Sequence, residues 1–108
     1  MRTVLLLLLA TPLLVGWSFF DPFHENVEKG NRKAEAGEAD EALTRYEEAA
    51  KVDPSSPIPD FNRGIVLSEK GDVEQALDAF RAATASEDPA VAADALYNMG
   101  NVYLQGEQ

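Results

Sequence analysis

One pattern, written twice at a fixed distance, limits what this chain can fold into more than any other feature. Gly30, Gly37, Ala42, Leu43, Tyr46 and Ala49 return as Gly64, Gly71, Ala76, Leu77, Phe80 and Ala83, each 34 residues on. A third opening follows at Leu96-Tyr-Asn-Met-Gly100-Asn-Val-Tyr103, its glycine 36 residues after Gly64. A period of 34 residues is that of stacked helix-turn-helix units, each too small to bury its own apolar face and so obliged to stack on its neighbours. Such arrays make extended surfaces for binding other proteins rather than pockets for chemistry.

The residue types explain the spacing. A glycine inside a helix costs about 1 kcal/mol against alanine, so Gly30, Gly64 and Gly100 make sense where another helix must come very close. Ala42 and Ala49, repeated as Ala76 and Ala83, supply the small face of the second helix, and Tyr46 and Phe80 supply the large side chain that fills the groove between repeats. Gly37 and Gly71 read as left-handed ends of the first helix in each pair. Asp72-x-x-Gln75 reads as a capping box that starts the next helix. Pro54, Pro57 and Pro59 break the chain between the first two units, and Asp88-Pro89 opens the third.

At these positions (Gly30, Ala42, Tyr46, Ala49 and Pro54; Gly64, Ala76, Phe80 and Ala83; Tyr97, Gly100 and Tyr103) residues 23–105 resemble tetratricopeptide repeats (TPRs). The resemblance implies an all-α solenoid of about two and a half repeats, near 23–56, 57–90 and 91–108, within a domain of residues 21–108. Lys29 and Lys33 stand where apolar residues are usual, and Ala34 and Ala39 where a Tyr is common. The first repeat is therefore expected to be the least stable, or to rely on something other than apolar packing. The third repeat reaches Gln108 after one helix, which is either a terminal cap or the start of a repeat that continues. Val102, Tyr103 and Leu104 read as an open apolar end available to a second copy.

The other strong signal lies at the N-terminus. Thr3 to Phe20 is eighteen residues without a charge, preceded by Arg2 and followed by Asp21. As a helix this run spans roughly 27 Å, close to the hydrocarbon thickness of a bilayer. Residues 1–20 thus read as a signal peptide or an N-terminal hydrophobic membrane helix. The want of an Ala-x-Ala site, and the aromatic cluster of Trp17, Phe19, Phe20 and Phe23, favour the anchor. Arg2 and the amino terminus would stay inside, which places the repeats outside the cytoplasm. With no cysteine in the chain, lipid acylation, disulfides and thiolate chemistry are excluded.

From residue 21 on, leaving out Arg2, eight basic residues face nineteen acidic ones, a net charge of −11. That balance argues against nucleic acid and against an anionic lipid surface as partners, since both repel it. It suits a basic or neutral protein partner, or simply keeps a small domain soluble. His24 has no second His or Cys to complete a typical zinc site and reads as a helix-surface residue. With no phosphate-binding glycine loop and no nucleophile–base pair, the sequence offers no case for an enzyme, a cofactor or a metal. The Glu47/Glu48 and Glu87/Asp88 pairs read as solvated faces.

In TPR proteins the first helix of each pair lines a concave groove. The resemblance therefore implies a protein-binding surface built on Asn31, Phe61, Asn62, Ile65, Tyr97, Asn101 and Leu104, with Phe61 and Tyr97 as its best anchors. Asn31 and Asn62 fall where some members hold a peptide's terminal carboxylate. Val27, Asp94 and Asn98 stand in place of the basic residues that complete that clamp, so acidic chaperone tails are not expected to bind.

A narrower resemblance is carried by Phe20-Asp-Pro-Phe-His-Glu-Asn-Val-Glu-Lys-Gly-Asn-Arg32 and by Ala95-Leu-Tyr-Asn-Met-Gly-Asn-Val-Tyr103. Both are similar to TPR proteins of bacterial aerotolerance (Bat) operons. That implies a small envelope scaffold, anchored in the inner membrane or secreted to the periplasm, whose partner is a membrane-bound von Willebrand A-type protein. Two other readings stand beside it: a self-assembling structural subunit, and the N-terminal part of a larger TPR-containing protein.

Overall fold

The computed structural model describes residues 21–106, and these form five helices in a row: α1 (Pro22–Glu35), α2 (Ala39–Val52), α3 (Ile58–Lys70), α4 (Val73–Thr84) and α5 (Pro89–Gly106). The reading of residues 1–20 as an apolar helix lies outside the described residues. Among those described, no helix is long and apolar enough to cross a membrane. Each helix packs on the next, α1 on α2 and α3 on α4 most extensively, with α5 laid against α4.

Local chemistry sets the boundaries. Asp21 caps α1, its Oδ1 accepting from the backbone N–H groups of Phe23 (3.1 Å) and His24 (3.2 Å), and Pro22 occupies the first turn, where an N–H is not needed. Both first helices then end in the same way. Gly37 (φ +78°) and Gly71 (φ +85°) take the left-handed conformation. Around Gly37, its own N–H reaches Ala34 O and that of Glu38 reaches Lys33 O. Around Gly71, the corresponding bonds run from Gly71 to Ser68 O and from Asp72 to Leu67 O. These paired bonds are the Schellman ending, which satisfies the last carbonyls of a helix.

The capping box expected at Asp72 is not formed. Asp72 is the residue before α4, but its side chain accepts no bond from the helix's first turn. It follows the left-handed Gly71 directly, with its N–H already donated to Leu67 O, and its carboxylate is turned towards Lys70 Nζ at 3.9 Å. Between α2 and α3, Asp53 Oδ1 accepts from both the N–H (3.1 Å) and the hydroxyl (2.6 Å) of Ser55, folding the Pro54–Pro57 loop. Pro59 lies beyond the break, buried in the first turn of α3.

The glycines meet what their spacing implied, twice out of three. A Cβ added to Gly30 would lie 2.5 Å from Tyr46 Cε1, and one on Gly64 would lie 2.6 Å from Phe80 Cδ1 and Cε1. Each aromatic ring occupies the space left by a missing methyl group. Ala42, Ala49, Ala76 and Ala83 are completely buried and let the backbones close around those rings. Gly100 differs: it is exposed, and nothing comes within 4 Å of a Cβ built there.

The core has two parts. The larger gathers Leu67, Ala76, Leu77, Ala79, Phe80 and Val102, and the smaller joins Ala42, Tyr46 and Val66; Leu43 packs against both. Val102, expected at an open end, is instead buried in the core of the second repeat, because α5 turns its Ala95–Met99–Val102 face to α4. In the first repeat the two lysines that break the apolar pattern are ion-paired. Lys33 Nζ stands 2.8 Å from both Glu38 and Glu41, and Lys29 stands 2.9 Å from Glu25.

Candidate protein-binding groove

The first helices α1 and α3 bring together three of the residues assigned to the groove. Asn31, Asn62 and Ile65 line one cleft, along with Ala34, Glu35 and Tyr46. Asn62 also borders a second cleft with Ile58, Phe61, Val91 and Asp94, where α5 meets α3. The two clefts therefore share Asn62 and run along one side of the helix stack. Ser68 donates to Gln105 Oε1 at 3.3 Å on α5, which ties α3 and α5 further along.

The floor is more organised than the sequence suggests. Tyr46, from α2, reaches through to donate its hydroxyl to Asn31 Oδ1 at 2.7 Å, and Asn62 Nδ2 approaches the same oxygen at 3.4 Å. Asn31 is thus oriented by its own neighbours, and its amide nitrogen is the group left to face a ligand. Burial raises the Tyr46 phenol above its ordinary value, with Glu35 and Glu69 adding to the effect, so at neutral pH it remains a donor.

Phe61 divides its ring between two tasks. It is half-buried and packs edge-to-face on Phe80, with ring centroids 5.8 Å apart, while it also lines the second cleft. Tyr97, Asn101 and Leu104 border neither cleft and stand in solvent on α5. Val91 carries no signal in the sequence. It lies before the third glycine pattern begins, and only the packing of α5 on α3 and α4 brings it to the cleft.

The rim is acidic, with Glu35 on one cleft and Asp94 on the other. The basic side chains nearby are engaged on other faces: Arg63 pairs with Asp60 at 3.2 Å, and Lys70 with Asp40 at 2.8 Å. His24 stands on the α1 surface, its Nδ1 2.7 Å from Asp21 Oδ2.

Helix pairs each closed by a glycine–aromatic contact, and packed one on the next, define an α-solenoid of repeats. The sequence model of the tetratricopeptide repeat matches residues 27–85 and again residues 61–108. The chain belongs to the tetratricopeptide repeat family, whose repeats mediate protein–protein interaction.

Proposed function

We propose that this chain is a non-enzymatic scaffold of the bacterial cell envelope that holds a partner protein in the clefts of α1, α3 and α5. The observation that carries the reading is the pair of clefts joined at Asn62, lined by Ile58, Phe61 and Ile65 beside the Asn31–Tyr46–Asn62 network, with Glu35 and Asp94 at their rim. Their shape suits an extended or helical segment that places an apolar side chain over Phe61 and Ile65 and a basic or amide group against Glu35 or Asp94. The uncharged run at residues 3–20 supports an anchor, with the repeats on the periplasmic side. The similarity of residues 20–32 and 95–103 to Bat-operon proteins makes a membrane-bound von Willebrand A-type protein the partner of first choice.

The test is a crosslinked pull-down of tagged full-length protein from detergent-solubilised membranes. Ile58→Asp serves as the groove variant, since Ile58 lines the second cleft and is 44% exposed, so its replacement spares the core. Asn31→Ala probes the other cleft. Recovery of a von Willebrand A-type protein from the wild type, reduced at least tenfold by Ile58→Asp, is the expected result. Equal recovery from wild type and variant would move the binding site off the groove.

A further inference from the structure

The two clefts meet at Asn62 but lie at different heights on the stack. Glu35, at the end of α1, stands level with Glu69 near the end of α3, since the two are one 34-residue period apart. Asp94, near the start of α5, stands level with Ile58, 36 residues before it, the offset that also relates Gly64 to Gly100. The Ser68–Gln105 bond fits the same register further along. Eleven residues separate Ile58 from Glu69, which is about 16 Å of helix. The clefts flank α3, and passing from one to the other adds about 10 Å sideways, the usual spacing of packed helices. The path from Glu35 and Glu69 to Asp94 is therefore a diagonal about 20 Å long.

The fixed charge along that diagonal has one sign. Glu35 lines the cleft between α1 and α3, Asp94 lines the cleft between α3 and α5, and neither cleft is lined by a lysine or arginine among the described residues. Glu69 adjoins the first cleft through Ala34, which borders both that cleft and the hollow beside Glu69. Lys70 shares the hollow, but Asp40 holds its ammonium at 2.8 Å and Asp72 stands 3.9 Å away. Glu35, Glu69 and Asp94 are all exposed and join no ion pair among the described residues. Glu35 and Glu69 also raise the Tyr46 phenol together, which sets both within electrostatic reach of one hydroxyl. Between the two acidic ends lie Ile65, Phe61 and Ile58.

Resting on the reading of the clefts as the binding site, we infer that their occupant is an extended segment of the partner protein with basic side chains about six positions apart and apolar ones between them. An extended chain advances about 3.3 Å per residue, so six steps cover the diagonal, and alternate side chains face the same way. The first basic side chain sits against Glu35 and Glu69. The next two inward-facing side chains are apolar and lie on Ile65, then on Phe61 and Ile58. The second basic side chain meets Asp94. Arginine suits the upper position better than lysine, because its planar fork bonds two carboxylates at once. The Asn31 oxygen is already taken by Tyr46 and Asn62, so its amide nitrogen donates to a main-chain carbonyl of the segment. An acidic segment is repelled at both ends, and salt screens the attraction that draws a basic one.

The test uses the full-length chain in a non-ionic detergent and dye-labelled peptides blocked at both ends, read by fluorescence anisotropy. The probe is Ser-Arg-Thr-Leu-Thr-Leu-Thr-Arg-Ser. One control is its isomer with adjacent arginines, Ser-Arg-Arg-Leu-Thr-Leu-Thr-Thr-Ser, and the other carries Glu for both arginines. The probe is expected to bind at least fivefold more tightly than the isomer and to lose at least tenfold in affinity between about 50 and 500 mM salt. Glu35→Gln and Asp94→Asn should each weaken it at least threefold, with far-UV circular dichroism unchanged. Glu47→Gln removes the same charge from an exposed site on α2 that lines neither cleft, and should leave binding as it is. An equal loss from Glu47→Gln would assign the attraction to the acidic surface at large and overturn the inference. Equal binding of probe and isomer would overturn the spacing. Equal binding of the Glu peptide, weakened along with the probe by Ile58→Ser, would overturn the charge selection while leaving the clefts as the binding site. Failure of all three peptides to bind would overturn the segment described here, and the pull-down with Ile58→Asp would still decide whether the clefts hold a partner.

Discussion

One hydrogen atom in place of a methyl group decides how closely α1 and α2, or α3 and α4, can approach. The rings of Tyr46 and Phe80 are almost fully buried and cannot swing away from an added Cβ. Gly30→Ala and Gly64→Ala should therefore each destabilise the chain by about 1–3 kcal/mol, the usual cost of overpacking. Gly100→Ala should act in the opposite sense, stabilising by about 0.5–1 kcal/mol through helix propensity alone, because its Cβ points into open space. Urea unfolding of the three variants at one protein concentration compares the signs. A loss at Gly100 as large as that at Gly30 would contradict the assignment. All three glycines read as close-approach positions in the sequence, and two of them are; Tyr46 and Phe80 read as filling the groove between repeats, whereas each ring packs on the glycine of its own repeat, sixteen residues back. The third is the same letter in the same pattern, but its use depends on a neighbouring helix that no pattern within 95–103 describes.

The helices are joined by ion pairs as well as by packing, and these respond to pH. Lys70 holds the Asp40 carboxyl below its ordinary value of 3.8 through a direct hydrogen bond that links the end of α3 to the start of α2. Lys33 does the same for Glu41 across the α1–α2 turn. A carboxyl whose folded value is depressed contributes stability above its unfolded value, and that contribution fades as pH falls through the folded one. Asp40→Asn should therefore melt below the wild type at pH 7, with the gap closing as pH drops below 3.8 and also at 1 M salt. A gap that persisted at pH 2.5 would assign the loss to packing. Since Asp40 is largely exposed, the effect belongs among small surface pairs. Helix order and helix ends were readable from Gly37, Gly71 and Pro89, whose effects are local. Lys33 was readable only as a misfit at an apolar site, because what it does depends on Glu38 and Glu41 arriving from the next helix. Asp72 failed for a related reason: its side chain matched a capping pattern, but the geometry after Gly71 had already turned it towards Lys70.

At the scale of the whole molecule, two small cores share Leu43, and the pair of clefts joined at Asn62 was only partly legible. Asn31, Phe61, Asn62 and Ile65, which the resemblance to TPR proteins named, do line the two clefts. The same resemblance named Tyr97 and Leu104 on α5, yet they stand clear of both clefts, since α5 is placed chiefly by its contacts with α4. Where a repeat lacks its second helix among the described residues, periodicity says which residues share a face but not what that face meets. The seating of Tyr46 against Gly30 has an optical consequence. The chain has three tyrosines, one sealed at the α1–α2 junction and two in solvent on α5. Raising the pH above the ordinary phenol value of 10.0 favours the unfolded chain, because the folded one holds the Tyr46 proton more tightly. Phenolate absorbance in the near ultraviolet should accordingly rise in two stages, the later coinciding with loss of helix in the first repeat and disappearing in Tyr46→Phe. A single stage, complete while the helices remain intact, would show the ring to be open to solvent. The residue that locks the first repeat thus doubles as a chromophore that reports its opening, with no label added.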